Sequence, residues 1–82
     1  MAPQDVRAED ILARTRKQPF RPFRIHLTDG GSLDVRHPEL AVVFDRRVVV
    51  FVPSERREGV MAGEHDCAFL HITRIEDLAE TA

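Results

Sequence analysis

The chain has 82 residues, 43% of them hydrophobic and 32% charged, with five Phe but neither Trp nor Tyr. That describes one small domain spanning residues 1–82 and excludes a two-domain enzyme. A chain of this size buries only about 60% of its unfolded surface, so the core is thin and a partner subunit is an expected source of support.

The formal net charge is -2, but its distribution is uneven. Met1 to Arg24 carries six basic residues against the acidic Asp5, Glu9 and Asp10. Ile25 to Arg57 is balanced, and from Glu58 to Ala82 only Arg74 opposes six acidic residues. A basic start and an acidic end are expected to meet within one subunit or across two. A nucleic-acid footprint is disfavoured, because such domains usually have an isoelectric point above about 9. No apolar run approaches the roughly 20 residues of a membrane span, and the start lacks a charged-then-apolar leader pattern. The expected location is the cytoplasm, with no membrane partner. Cys67 is the only cysteine, which excludes an intramolecular disulfide framework and a multi-cysteine zinc knuckle.

Residues 5–17 read as a helix, since Ala8, Ile11, Leu12 and Thr15 recur at spacings of three, four and seven. Acidic Asp5, Glu9 and Asp10 at its start, and Arg14, Arg16 and Lys17 at its end, suit the helix dipole. Pro19 stops it, and residues 18–22 form a stiff connector, because each proline removes a donor and extends its predecessor.

From Phe23 the period becomes two: Phe23, Ile25 and Leu27 alternate with Arg24, His26 and Thr28, the pattern of a half-buried strand. Asp29-Gly30-Gly31 reads as a three-residue turn with Gly31 in the left-handed position. That register sets Leu27 against Leu33, Ile25 against Val35, His26 against Asp34 and Arg24 against Arg36. The second strand runs on towards Phe44 with Pro38 at a bend or an unpaired edge. Asp45-Arg46-Arg47 is a short charged turn.

Val48, Val49, Val50, Phe51 and Val52 form an unbroken apolar strand. One face lines the core and the other needs cover, since burying each Val or Phe is worth roughly 1.5–3 kcal/mol. The five are therefore the expected oligomer interface. Residues 53–66 are polar, contain Gly59 and Gly63, and read as a mobile loop with Gly59 to Gly63 at its tip. Cys67 to His71 resumes a strand, Ile72 to Leu78 is a further strand or a last turn of helix, and the final residues fray. The fold class is mainly β with one N-terminal helix (α+β), its strands falling within residues 23–77.

A short helix followed by about five strands, with a tight Asp-Gly turn after the first and a long bent second, resembles the Sm-like barrel of Sm proteins and bacterial Hfq. Pro22 to Gly30 is similar to the first strand and turn of Hfq. Phe69-Leu70-His71-Ile72-Thr73 is similar to that family's Tyr-Lys-His-Ala-Ile-Ser segment. The resemblance implies a small five-stranded Sm-like barrel, or failing closure a strongly bent antiparallel sheet. It also implies subunits joined by strand pairing and RNA held near His71 and the Asp45-Arg46-Arg47 turn. Two positions depart from it: Leu70 stands where Hfq supplies a pore lysine, and the chain contains no Asn. The Pro-Phe-Arg-Pro-Phe-Arg-Ile-His-Leu run and His37-Pro38-Glu39 also look like a group of small bacterial proteins without an assigned function.

Other residues invite chemistry. His65, Cys67 and His71 are potential zinc ligands, with Cys67 and His71 on one face if the segment is a strand, but Cys67 reads equally well as a small buried hydrophobe. His26 beside Asp34 offers a proton-transfer pair, or simply a cross-strand pair that stabilises a sheet. Ser32 and Ser54 lack an elbow motif or an activating base. Asp29-Gly30-Gly31-Ser32 lacks the Lys and helix of a phosphate loop. Arg46-Arg47 and Arg56-Arg57 are the basic doublets, by default solvated turn charges. The expected function is that of a non-enzymatic small β-barrel interaction module that forms homo-oligomers, without cofactor or metal. The alternatives are an Sm-like RNA-binding ring and a metal- or His-dependent enzyme.

Overall fold

The structure, a computed structural model, describes residues 6–78. Helix α1 spans Ala8–Thr15. Its start is set locally: the Asp10 carboxylate reaches back to accept the Arg7 N–H at 2.9 Å, satisfying a donor that the helix cannot. The expected helix was longer, 5–17. Asp5 lies outside the described residues, and Arg16 and Lys17 follow Thr15 in a closing turn. Ile11 is the helix's fully buried anchor.

Six strands follow: β1 Phe23–Leu27, β2 Ser32–Val35, β3 Ala41–Val43, β4 Arg47–Pro53, β5 Met61–Ala68 and β6 Ile72–Asp77. They form two three-stranded antiparallel sheets, ordered β2-β1-β6 and β3-β4-β5. The count is six rather than five because the expected long second strand is broken by a 3-10 turn, Pro38–Leu40, which carries the chain from one sheet to the other. Pro38 sits where its missing N–H leaves no ladder bond unmade. A second 3-10 turn, Phe69–His71, separates β5 from β6. That segment was expected to continue a strand, and Cys67 and His71 therefore do not share a strand face.

The β1–β2 register differs from expectation by two residues. Phe23 faces Val35, Arg24 faces Asp34, Ile25 faces Leu33 and His26 faces Ser32. The loop is Thr28-Asp29-Gly30: Gly30 N–H donates to Leu27 O at 3.0 Å and Leu27 N–H to Gly31 O at 2.9 Å. Gly30, not Gly31, takes the left-handed conformation, at φ 92°. The Asp29 carboxylate locks the turn by accepting the Gly31 N–H at 2.7 Å. A shift of two preserves which side chains face the core, so apolar still meets apolar.

The core lies between the sheets and under α1, built from Ile11, Phe23, Ile25, Val35, Val48, Val50, Cys67 and Ile72. The largest correction concerns residues 53–66, expected to be a mobile loop. Only Ser54 to Val60 connects the strands, and Met61 onward is β5, paired with β4 along its length. The two strands make a long hairpin, and β4 is the only element packed extensively against β5.

Candidate functional site

The Asp45-Arg46 and Phe69–His71 turns meet at one end of the second sheet. The first lies in the three-residue link between β3 and β4, Phe44 to Arg46, and is closed by Phe44 N–H donating to Arg47 O at 2.8 Å. The second is tied to it by Phe69 N–H donating to Arg46 O at 3.0 Å, and to the first hairpin by Thr28 N–H donating to His71 O at 2.9 Å. Phe69 packs on the core while Leu70 is 78% exposed. Asp45, Arg46, Phe69 and Leu70 share a hollow of about 340 Å³ with the start of α1.

His71 and Arg47 stand apart from that hollow. His71 is exposed and lines a different depression, of about 350 Å³, with Thr28, Asp29, Asp66 and Cys67. The Arg47 guanidinium lies 4.2 Å from the centre of the Phe44 ring and 3.3 Å from Asp66, so its charge is already engaged on the hairpin. Of the four nominated binding residues, Asp45 and Arg46 come together; His71, two residues on from Phe69, is brought near them by the fold but opens elsewhere.

The nominated interface residues divide. Val48, Val49 and Val50 are buried by this chain's own side chains; Phe51 is half-buried and Val52 is 39% exposed. Only Phe51 and Val52 remain available to a second subunit. The covering comes from the other sheet and from the strands on either side of β4. Near Val52 the hairpin exposes two more large apolar residues, Val60 and Met61, that sequence reasoning had placed in a loop. Met61 to Asp66 are all exposed along β5, whose outer edge pairs with no described strand.

The proton-transfer and metal candidates are rearranged. Asp34 accepts two hydrogen bonds from Arg24, at 2.7 and 3.2 Å. This Arg24 contact is the main cause holding the Asp34 carboxyl below its usual range, while Asp34 pushes the Arg24 guanidinium up. His26 Nε2 instead meets Glu76 at 2.8 Å, and that hydrogen bond lowers the Glu76 carboxyl. With Arg36 and Arg74 these groups tile the outer face of the β2-β1-β6 sheet, a half-solvated charge array without a nucleophile in it. Burial pushes the Cys67 thiol up, which suits a small core residue and suppresses thiolate chemistry. Among the described residues, no three His, Cys, Asp or Glu side chains gather to hold a metal ion.

A hollow of about 600 Å³ lies between α1 and β6 and is lined by Arg14, Lys17, Arg21 and Arg74 among others. The basic first third is evident in the sequence, but nothing local to it brings Arg74 alongside. The expected meeting of basic start and acidic end occurs within one subunit: Arg14 pairs with Asp77. No helix in the described residues is long and apolar enough to cross a membrane. Compared with known proteins, the chain matches no family model, no curated sequence and no solved structure.

Proposed function

We propose that this protein is a non-enzymatic cytoplasmic interaction module that assembles with copies of itself, the open edge of β5 joining an open edge strand of a second copy. The observation that carries the reading is the β4–β5 hairpin. Its outer strand leaves six consecutive residues, Met61 to Asp66, exposed and packs extensively on β4 alone. An unpaired edge of this length presents free N–H and C=O groups, which folded proteins ordinarily cover. Val52, Val60 and Met61 add apolar surface at the same end, and burying a large apolar side chain stabilises by roughly 1.5–3 kcal/mol. Amide hydrogen exchange tests it. Protection along Glu64 to Asp66 that rises with protein concentration is the expected result. Edge amides that exchange freely at every concentration overturn it.

A second reading, an Sm-like RNA-binding ring, draws support from the order of elements. Counting β2 and β3 as one strand bent at Pro38 makes five strands after a short helix, the order that an Sm-like barrel follows. The hydrogen bond from Phe69 to Arg46 sets the two nominated loops side by side. RNA held there binds steeply less well as salt rises, because phosphate neutralisation releases counterions. A uridine-rich RNA that produces no shift at low salt rules this reading out.

A further inference from the structure

We infer that the groove between α1 and β6 binds a small organic phosphate, a nucleoside diphosphate being the form its walls fit: unneutralised cations stand around an apolar floor. The groove carries Arg14, Lys17, Arg21 and Arg74 against Asp10 and Asp77. Its local charge is therefore positive in a chain whose net charge is -2, so the cations are concentrated here rather than being a general background.

Both carboxylates are committed. Asp10 accepts the Arg7 N–H at the start of the helix, and Asp77 pairs with Arg14. Among the described residues, Lys17 and Arg21 have no carboxylate within ion-pair distance. Arg74 has only Glu76 at 3.9 Å, and the same Glu76 oxygen lies at 2.8 Å from His26. Three cations thus line the groove without a close carboxylate partner, against Asp10, whose charge a backbone N–H does not cancel.

Two of them are guanidiniums, whose planar forks match phosphate oxygens in pairs. Val6, Ala13 and Ile75 supply the apolar wall against which a base or other organic body rests. The volume, about 600 Å³, falls within the usual range for small-molecule sites, roughly 300–1,000 Å³.

The site stands independently of self-assembly, and its test does not use the oligomeric state as readout. Isotope-labelled protein is titrated separately with ADP, pyrophosphate, adenosine and a short uridine-rich RNA while backbone amide shifts are followed. Saturable shifts at residues 13–21 and 74–77 with ADP, weaker with pyrophosphate and weakest with adenosine, are expected. Lys17→Gln and Arg21→Gln, both at exposed positions outside the core, each weaken ADP binding several-fold, and Arg74→Glu abolishes it. No saturable shift with ADP, shifts outside the groove, or tighter binding of the RNA than of ADP overturns the inference.

Discussion

Val50 and Val52 lie two residues apart on the same face of β4, yet the structure gives them opposite tasks. Val50 is 2% exposed and belongs to the core, whereas Val52 is 39% exposed near the hairpin end. Val50→Ala deletes two buried methyl groups, at roughly 0.8 kcal/mol each. The void left behind adds up to about 1 kcal/mol, at roughly 24 cal/mol per Å³ of unrelaxed cavity. The total is about 2–3 kcal/mol, a large share of the roughly 4–12 kcal/mol that a chain of this length has available. Val52→Ala loses only about 1 kcal/mol, because part of its side chain is already in water and solvent fills the gap. Thermal unfolding of dilute protein, followed by far-ultraviolet circular dichroism, reads the difference. At about 4–8 °C per kcal/mol for a domain this small, Val50→Ala lowers Tm by about 10–20 °C and Val52→Ala by less than half of that. Equal shifts would refute the division of β4 into a core half and a surface half.

Acid titration provides another test. Asp34 and Glu76 have lowered carboxyl values in the folded state, so the stability they contribute is present above the unfolded value, about 4, and is lost as pH falls through the folded one. Asp34→Asn therefore flattens the fall in Tm below about pH 4, and a slope identical to that of the unsubstituted protein contradicts the Arg24–Asp34 pairing. Gly30→Ala places a side chain at φ 92° and costs about 1–2 kcal/mol by urea denaturation, more than Gly31→Ala. The reverse order would restore the alternative turn. Cys67 in the folded protein resists alkylation by iodoacetamide and reacts fully in denaturant; equal rates would place the thiol at the surface.

Much of the fold is legible in local chemistry. Ala8, Ile11, Leu12 and Thr15 at helical spacing, the Pro19 stop and the alternation from Phe23 to Leu27 each depend on neighbours in the chain, and the helix, shorter than expected, and the first strand lie where those neighbours put them. The hairpin register was missed by two residues because two adjacent glycines both permit the left-handed turn position. The Asp29 side chain, by accepting from Gly31, favours one of them. Strand β5 was illegible for a different reason. Met61 to Asp66 bury neither face, so no alternation of apolar and polar residues marks them, and their strand state comes from pairing with the apolar β4. The same remoteness hid the α1–β6 groove, since Lys17 and Arg74 meet only after β6 pairs with β1. His26 was seen as one half of an acid pair, but its partner Glu76 lies on a strand far along the chain.

Multi-angle light scattering of the purified chain at micromolar concentration bears most directly on self-assembly through the hairpin. Self-assembly gives a mass at least twice 9.4 kDa, returning to that of one chain when Val52→Lys and Met61→Lys place charges on the hairpin while the circular dichroism spectrum is unchanged. A mass of 9.4 kDa for the unsubstituted protein, or an assembly indifferent to both lysines, would contradict it.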